Sequence, residues 1–232
     1  MTSTALAGRV ALVATGIAFL SLTILHVLSP EFQPSWRMVS EYANGRHGWL
    51  LSMMFAAWGL GTLALAWALG PSTSGALGRA GVAFLVLAGI GEMMAAVFNI
   101  NHRLHGLAAM IGIPSLPIAA LLITRARRRA DRAEAPPAWA AHLTWISFVL
   151  MGVAMAAFMR SLSGAGVDLS TQTGPLGALP AGVTSFAGWA NRLLVLAYLA
   201  WVALAALPIV HARTETRRGT ETRREALGTR NA

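Results

Sequence analysis

Two residue types are missing altogether from the 232-residue chain: cysteine and lysine. Without cysteine there is no disulfide, thiolate metal site, iron–sulfur cluster or cysteine nucleophile. Without lysine there is no retinal or pyridoxal Schiff base and no phosphate-cradling Walker lysine. All 18 basic residues are arginine. Charge as a whole is scarce. Only 12% of residues are Asp, Glu, Lys or Arg, against about 25% in a soluble domain.

What fills the chain instead is apolar: 56% of residues are hydrophobic and the mean hydropathy is +0.59. This is the composition of an all-α, polytopic membrane bundle. A spanning helix needs roughly 20 mostly apolar residues, and six segments supply them: Gly8–Leu28, Gly48–Gly70, Arg79–Phe98, His105–Thr124, Trp139–Met159 and Ala187–Val210. The first is too long for a signal peptide and no small-residue cleavage pattern follows it. Residues 1–211 therefore read as one six-helix transmembrane domain. Residues 212–232, rich in Arg, Thr and Glu, read as a basic disordered tail.

The formal charge of +9 does not predict nucleic acid as a partner, because the arginines flank apolar segments, where the positive-inside rule explains them. Thirteen fall on the side of the N-terminus: Arg9, Arg79, five between residues 125 and 132, and six after residue 212. Five fall on the other side: Arg37, Arg46, Arg103, Arg160 and Arg192. This predicts both termini inside the cell, in the inner (plasma) membrane. The outer loop of residues 29–47 holds Trp36, Val39 and Ala43 at helical spacing, which predicts a short interfacial helix with its aromatics at headgroup level. The outer loop of residues 161–186 is long and rich in Gly, Pro, Ser and Thr, the pattern of a lid or a flexible segment.

Polar groups inside a membrane are costly and mark function or pairing. Glu92 lies about six residues inside the outer end of the third segment, roughly 9 Å deep. It shares a face with Gly81, Leu85, Ala88, Gly89, Ala95, Ala96 and Asn99, mostly small residues that admit a neighbouring helix. Glu92 is either an acid, base or ligand, or the structural partner of an arginine. Arg192 lies at similar depth in the sixth segment and is the obvious partner for Glu92 or Glu41, with Asn191 and Tyr198 extending the polar line. His102 and His105, three apart, could share a metal with Glu41, His26 or Glu92. No specific ligand pattern such as HExxH supports this, so no metal or other cofactor is expected. His26 can simply cap the end of the first helix.

At Ser40-Glu41-Tyr42, Leu104-His105-Gly106 and Gly188-Trp189-Ala190-Asn191-Arg192 with Trp201, the chain resembles a family of bacterial six-helix membrane proteins catalogued as domain of unknown function nine-nine-eight. The resemblance spans His26 to Trp201. Two departures stand out: Phe98-Asn99-Ile100-Asn101 replaces the family's usual Phe-Pro-Thr-Asp, and Asn191 replaces its usual Glu. The resemblance implies a fold and a location, and that Glu41, His105 and Arg192 carry over; it implies no reaction.

Three functions compete. One is a membrane enzyme working by acid–base chemistry on a lipid or isoprenoid, with proton-initiated cyclisation as one version. Its catalytic residues would be Glu92, Glu41, His105 and Arg192, and its substrate would contact His26, Tyr42, Asn99, His102, Asn191 and Tyr198. Glu92 would be the acid and Glu41 the base, provided Arg192 pairs with Glu41. The others are a small carrier using the same site and a non-catalytic subunit or assembly factor. The partners implied are the bilayer and an apolar small molecule or lipid; oligomeric state stays open. Reporter fusions at the C-terminal tail are expected to read cytoplasmic; a periplasmic reading would invert the sidedness.

Overall fold

The computed structural model describes residues 3–130, 135–168 and 176–228, with side chains described as far as His211. Among these residues there is no strand, and six helices are long and apolar enough to cross a membrane. They are α1 (Ser3–Leu28), α2 (Gly48–Leu69), α3 (Gly75–Val97), α4 (His105–Arg129), α5 (Ala138–Gly164) and α6 (Ala187–Gly228). The spanning part of α6 is Ala187–His211. Its backbone continues as helix to Gly228, past the boundary at 211 that composition suggests. Residues 229–232, the middle of the 161–186 loop, and residues 131–134 with Arg132 lie outside the described residues.

Hydropathy locates every span but truncates α4 and α5. The apolar run in α4 stops at Thr124, whereas the helix continues through Arg125–Arg129, because arginine is a good helix former whatever its hydropathy. Each helix packs on the next, and α6 closes the ring onto α1 while also touching α2. α6 is the central element: Leu194, Tyr198, Trp201 and Val202 are all essentially inaccessible.

The end where α1 finishes and α2 begins is called the outer end, after the sidedness the arginines predict. Its loops depart from the sequence expectation. Residues 29–47 form no amphipathic helix; only Val39–Asn44 coils, as a 3-10 turn. Trp36 and Tyr42 turn inward and are buried. Trp36 packs edge-on to Phe158 with ring centroids 6.5 Å apart. The loop thus roofs the bundle.

Gly81, Leu85, Ala88, Gly89 and Glu92 form one buried face of α3. The face is small so that neighbours can approach, and beside it Gly91 packs directly against Gly112 of α4. A Cβ on Gly91 would run into the Gly112 backbone and sit 2.8 Å from the Ala108 carbonyl oxygen. Backbone contact of this kind supplies dispersion where no hydrophobic effect drives helices together. Gly91→Ala is therefore expected to force α3 and α4 apart, at about 1–3 kcal/mol. Gly152→Ala in α5 meets nothing within 4 Å and should be neutral or mildly stabilising. Thermal unfolding in detergent compares the two, and equal midpoints would count against the close α3–α4 contact.

Candidate functional site

The predicted residues separate into two groups. The first is built on Arg192. Its Nη1 donates to the carbonyls of Arg37 (2.6 Å), Gly188 (3.0 Å) and Pro34 (3.4 Å). Its Nη2 donates to the Tyr42 hydroxyl at 3.1 Å and its Nε to His26 Nε2 at 2.6 Å. The expected pairing with Glu92 or Glu41 does not occur, because the guanidinium spends its donors on loop carbonyls, a phenol and an imidazole. A five-donor planar fork suits this task and an ammonium does not. His26 is fixed as the neutral tautomer. Its Nδ1 sits 2.7 Å from the Leu22 carbonyl, which can only accept, so Nε2 is the acceptor for Arg192. Gly188 is required here: a Cβ would lie 2.7 Å from the Arg37 oxygen and 2.8 Å from the Trp36 nitrogen.

Glu41 belongs to the same roof. One oxygen bridges to Arg37 at 3.1 Å and the other accepts from the Met38 amide at 2.8 Å. Arg37 in turn lies over the Trp36 ring, 4.1 Å from its centroid. Glu41 is thus committed within the loop and Tyr42 to Arg192, and neither lines the cavity that holds Glu92.

The second group surrounds a cavity of about 170 Å³ beneath the roof. Glu92, His105, Asn191 and Tyr198 line it, with Phe55 and Trp58 as aromatic walls and Met38, Val39 and Ser40 of the roof above. Asn191 Oδ1 accepts from the Val39 amide at 2.8 Å, linking α6 to the roof. Tyr198 donates to the Ile113 carbonyl at 2.7 Å. That carbonyl is free because Pro117, four residues on, has no N–H to offer it. His105 Nδ1 lies 2.8 Å from the Phe98 carbonyl and must carry a proton; in the neutral ring Nε2 is the basic nitrogen.

Glu92 is 6% exposed and neither carboxyl oxygen has a hydrogen-bond partner. The Thr62 hydroxyl of α2 is near enough to interact with it but does not form a hydrogen bond. The buried indole N–H of Trp58, in the same cavity wall, also lacks a partner. Sequence reasoning passed over Trp58, Thr62 and Arg37. The signal for Arg37 was its place four residues before Glu41; nothing in the sequence marked the other two.

Two predicted residues are not brought in. α3 ends at Val97, so Asn99 leaves the Glu92 face and turns outward, its Oδ1 accepting from the Asn101 amide at 3.1 Å. His102 does not share a helical face with His105, because α4 begins only at His105. It is exposed, stacked on Phe98 with centroids 4.7 Å apart. Among the described residues no three His, Asp or Glu side chains are grouped as metal ligands.

A ring of six apolar helices over which a loop closes a cavity with a few polar groups defines a multi-pass membrane protein. The chain belongs to the family described as protein of unknown function DUF998, whose model matches residues 12–208. No curated protein and no solved structure matches it.

Arg192→Lys tests the roof. One ammonium cannot reach His26, Tyr42 and three carbonyls, and each buried polar group left unpaired costs about 1–3 kcal/mol. The variant should melt earlier and be cleaved faster by protease in residues 29–47. Unchanged melting and cleavage would mean the roof is held by something else.

Proposed function

We propose that the cavity is the site of an integral-membrane enzyme that performs acid–base chemistry on one end of a lipid or other apolar small molecule. Glu92 is the proton donor, His105 Nε2 the base, and Trp58 N–H a hydrogen-bond donor to the bound group. The observation that carries this is Glu92 itself: a buried carboxyl that lines a cavity and, among the described residues, faces no cation and makes no hydrogen bond of good geometry, with only the Thr62 hydroxyl near it. Leaving such a group unpaired costs about 1–3 kcal/mol or more, which a packing role does not explain. The chemistry it suits is general acid catalysis, where a neutral carboxyl close to apolar walls hands on its proton.

Size narrows the substrate. An apolar cavity of about 150 Å³ holds benzene, and drug-sized sites run to about 300–1,000 Å³. A cavity of about 170 Å³ takes a headgroup or a few carbons, not a folded isoprenoid. Chemistry at one end of a chain is favoured over proton-initiated cyclisation. Glu41, with both oxygens bonded, serves as a positioning residue, as does Arg192. We place both termini in the cytoplasm and the protein in the inner (plasma) membrane, on the arginine distribution. A second reading, a non-catalytic membrane subunit, is favoured by the bonded state of the Arg192 network, which holds structure without chemistry.

Glu92→Gln separates the two. With no cation to strand, the change should shift unfolding by less than about 1 kcal/mol and lower turnover about 10²–10⁴-fold, the usual contribution of a general acid. The assay compares the lipids of cells expressing wild type and variant beside melting of the purified proteins. A stability loss of about 3–5 kcal/mol, the cost of breaking a buried ion pair, would show Glu92 to be structural and end the catalytic reading.

A further inference from the structure

At the opposite end of the bundle from Glu92, α4 and α5 diverge around a cleft of about 590 Å³. Its polar lining is Arg125, Arg128, Arg129, Thr124 and His142, and Leu121 closes it on the membrane side. The three arginines sit at i, i+3 and i+4 and so share one face of the helix. Arg127, between them, points elsewhere: it is buried and donates to Ser72 at 3.1 Å. The helix thus sorts its terminal arginines, one into the core and three into the cleft.

Among the described residues every polar side chain in this lining can donate. Arg has donors only. Thr124 Oγ1 accepts from Trp201 Nε1 at 3.4 Å, which leaves its own hydrogen to give. His142 Nδ1 accepts from Trp145 Nε1 at 3.0 Å, so Nε2 carries the proton even in the neutral ring. Among the described residues no acidic side chain lines the cleft. Opposite the arginines, Ala138 and Ala141 of α5 keep the wall low. The depth is marked by Trp139 and Trp145, 61% and 39% exposed, on the same end of α5. Exposed tryptophans of this kind sit at the level of lipid headgroups.

We propose that this cleft binds the phosphate of an anionic lipid headgroup. The arginine forks grip phosphate oxygens through paired N–H bonds, His142 and Thr124 complete the donor set, and the acyl chains leave past Leu121 into the bilayer. A positive-inside loop needs only charge near the membrane. An all-donor cleft shared by two helices goes further, because it has room and geometry for one anion. The site requires no chemistry at Glu92.

The test uses the full chain in neutral detergent, titrated with short-chain phosphatidylglycerol, short-chain phosphatidylcholine and inorganic phosphate, with the thermal midpoint as readout. Phosphatidylglycerol should raise the midpoint saturably, and the other two should do so weakly or not at all. At about 1 kcal/mol per arginine near an anionic headgroup, Arg125→Gln, Arg128→Gln and Arg129→Gln together should weaken this binding about 100-fold. The midpoint without lipid reports whether that variant folds. Should it fail to fold, Arg128→Gln alone is read instead, with a loss of about fivefold expected. The same three charges removed from Arg217, Arg218 and Arg223 should leave the binding within about twofold. Three results overturn the proposal: no saturable response to phosphatidylglycerol, an equal response to inorganic phosphate, which would make the ligand a soluble anion, or equal losses from the cleft and tail variants.

Discussion

The outer half of this protein depends on one buried guanidinium. Arg192 stands near the start of the central helix and reaches back to a loop 150 to 158 residues earlier in the chain. Its bonds to the carbonyls of Pro34 and Arg37 hold the loop backbone down on Gly188, where the lack of a side chain makes room. The Glu41–Arg37 bridge and the Met38 amide bond then set the 3-10 turn. Asn191, one residue before Arg192, takes the Val39 amide and fixes the same turn from the cavity side. The roof is therefore held by two consecutive residues of α6. Among the described residues no carboxylate pairs with Arg192; its charge is met by carbonyl dipoles, a phenol oxygen and a neutral imidazole.

Below the roof the same rule, that a membrane interior leaves no polar group to water, is met by local means. Pro117 removes a backbone donor from α4, and Tyr198 of α6 supplies the missing hydrogen to Ile113. Gly91 and Gly112 bring α3 against α4 closely enough to shield the neighbouring Glu92 from lipid. The outer turn between α3 and α4 is tied by asparagine side chains: Asn99 accepts from the Asn101 amide, and Asn101 reaches Asn44 at 2.8 Å. The two asparagines of that loop thus have a turn-forming and a loop-linking use.

How much of this was legible in the sequence follows from the physics of each signal. Spans announce themselves through hydropathy, because twenty apolar residues have few other uses. The inward face of α3 was legible in its spacing of small residues around Glu92. Helix ends were less so: hydropathy ends at Thr124 although α4 runs on, and the helical face that was to include Asn99 stops at Val97. The partners of Arg192 were hidden because four of its five acceptors are backbone or come from a loop whose fold no periodicity encodes. A search for charge complements sees Glu41 and Glu92; it cannot see a carbonyl. The burial of Trp36 and Tyr42 was misread for a related reason, since aromatics in an outer loop look the same whether they meet headgroups or a roofed core.

Glu41 and Glu92 now differ in a way that depth alone did not foretell. Both oxygens of Glu41 are engaged, and the loop that it shapes has no other use for them. Glu92 sits beside a tyrosine satisfied by a carbonyl that a proline set free, and near a Thr62 hydroxyl and a Trp58 N–H that form no hydrogen bond among the described residues. A bundle able to make that arrangement could equally have paired Glu92 or dispensed with it. Replacing an unpaired buried polar group by an apolar one of similar shape is often neutral or stabilising, and the same holds for the Trp58 N–H in the adjoining wall. A donor and a carboxyl left open on one cavity are therefore costs that stability does not account for. A bound polar end, seated between them in a space of about 170 Å³, would satisfy both at once.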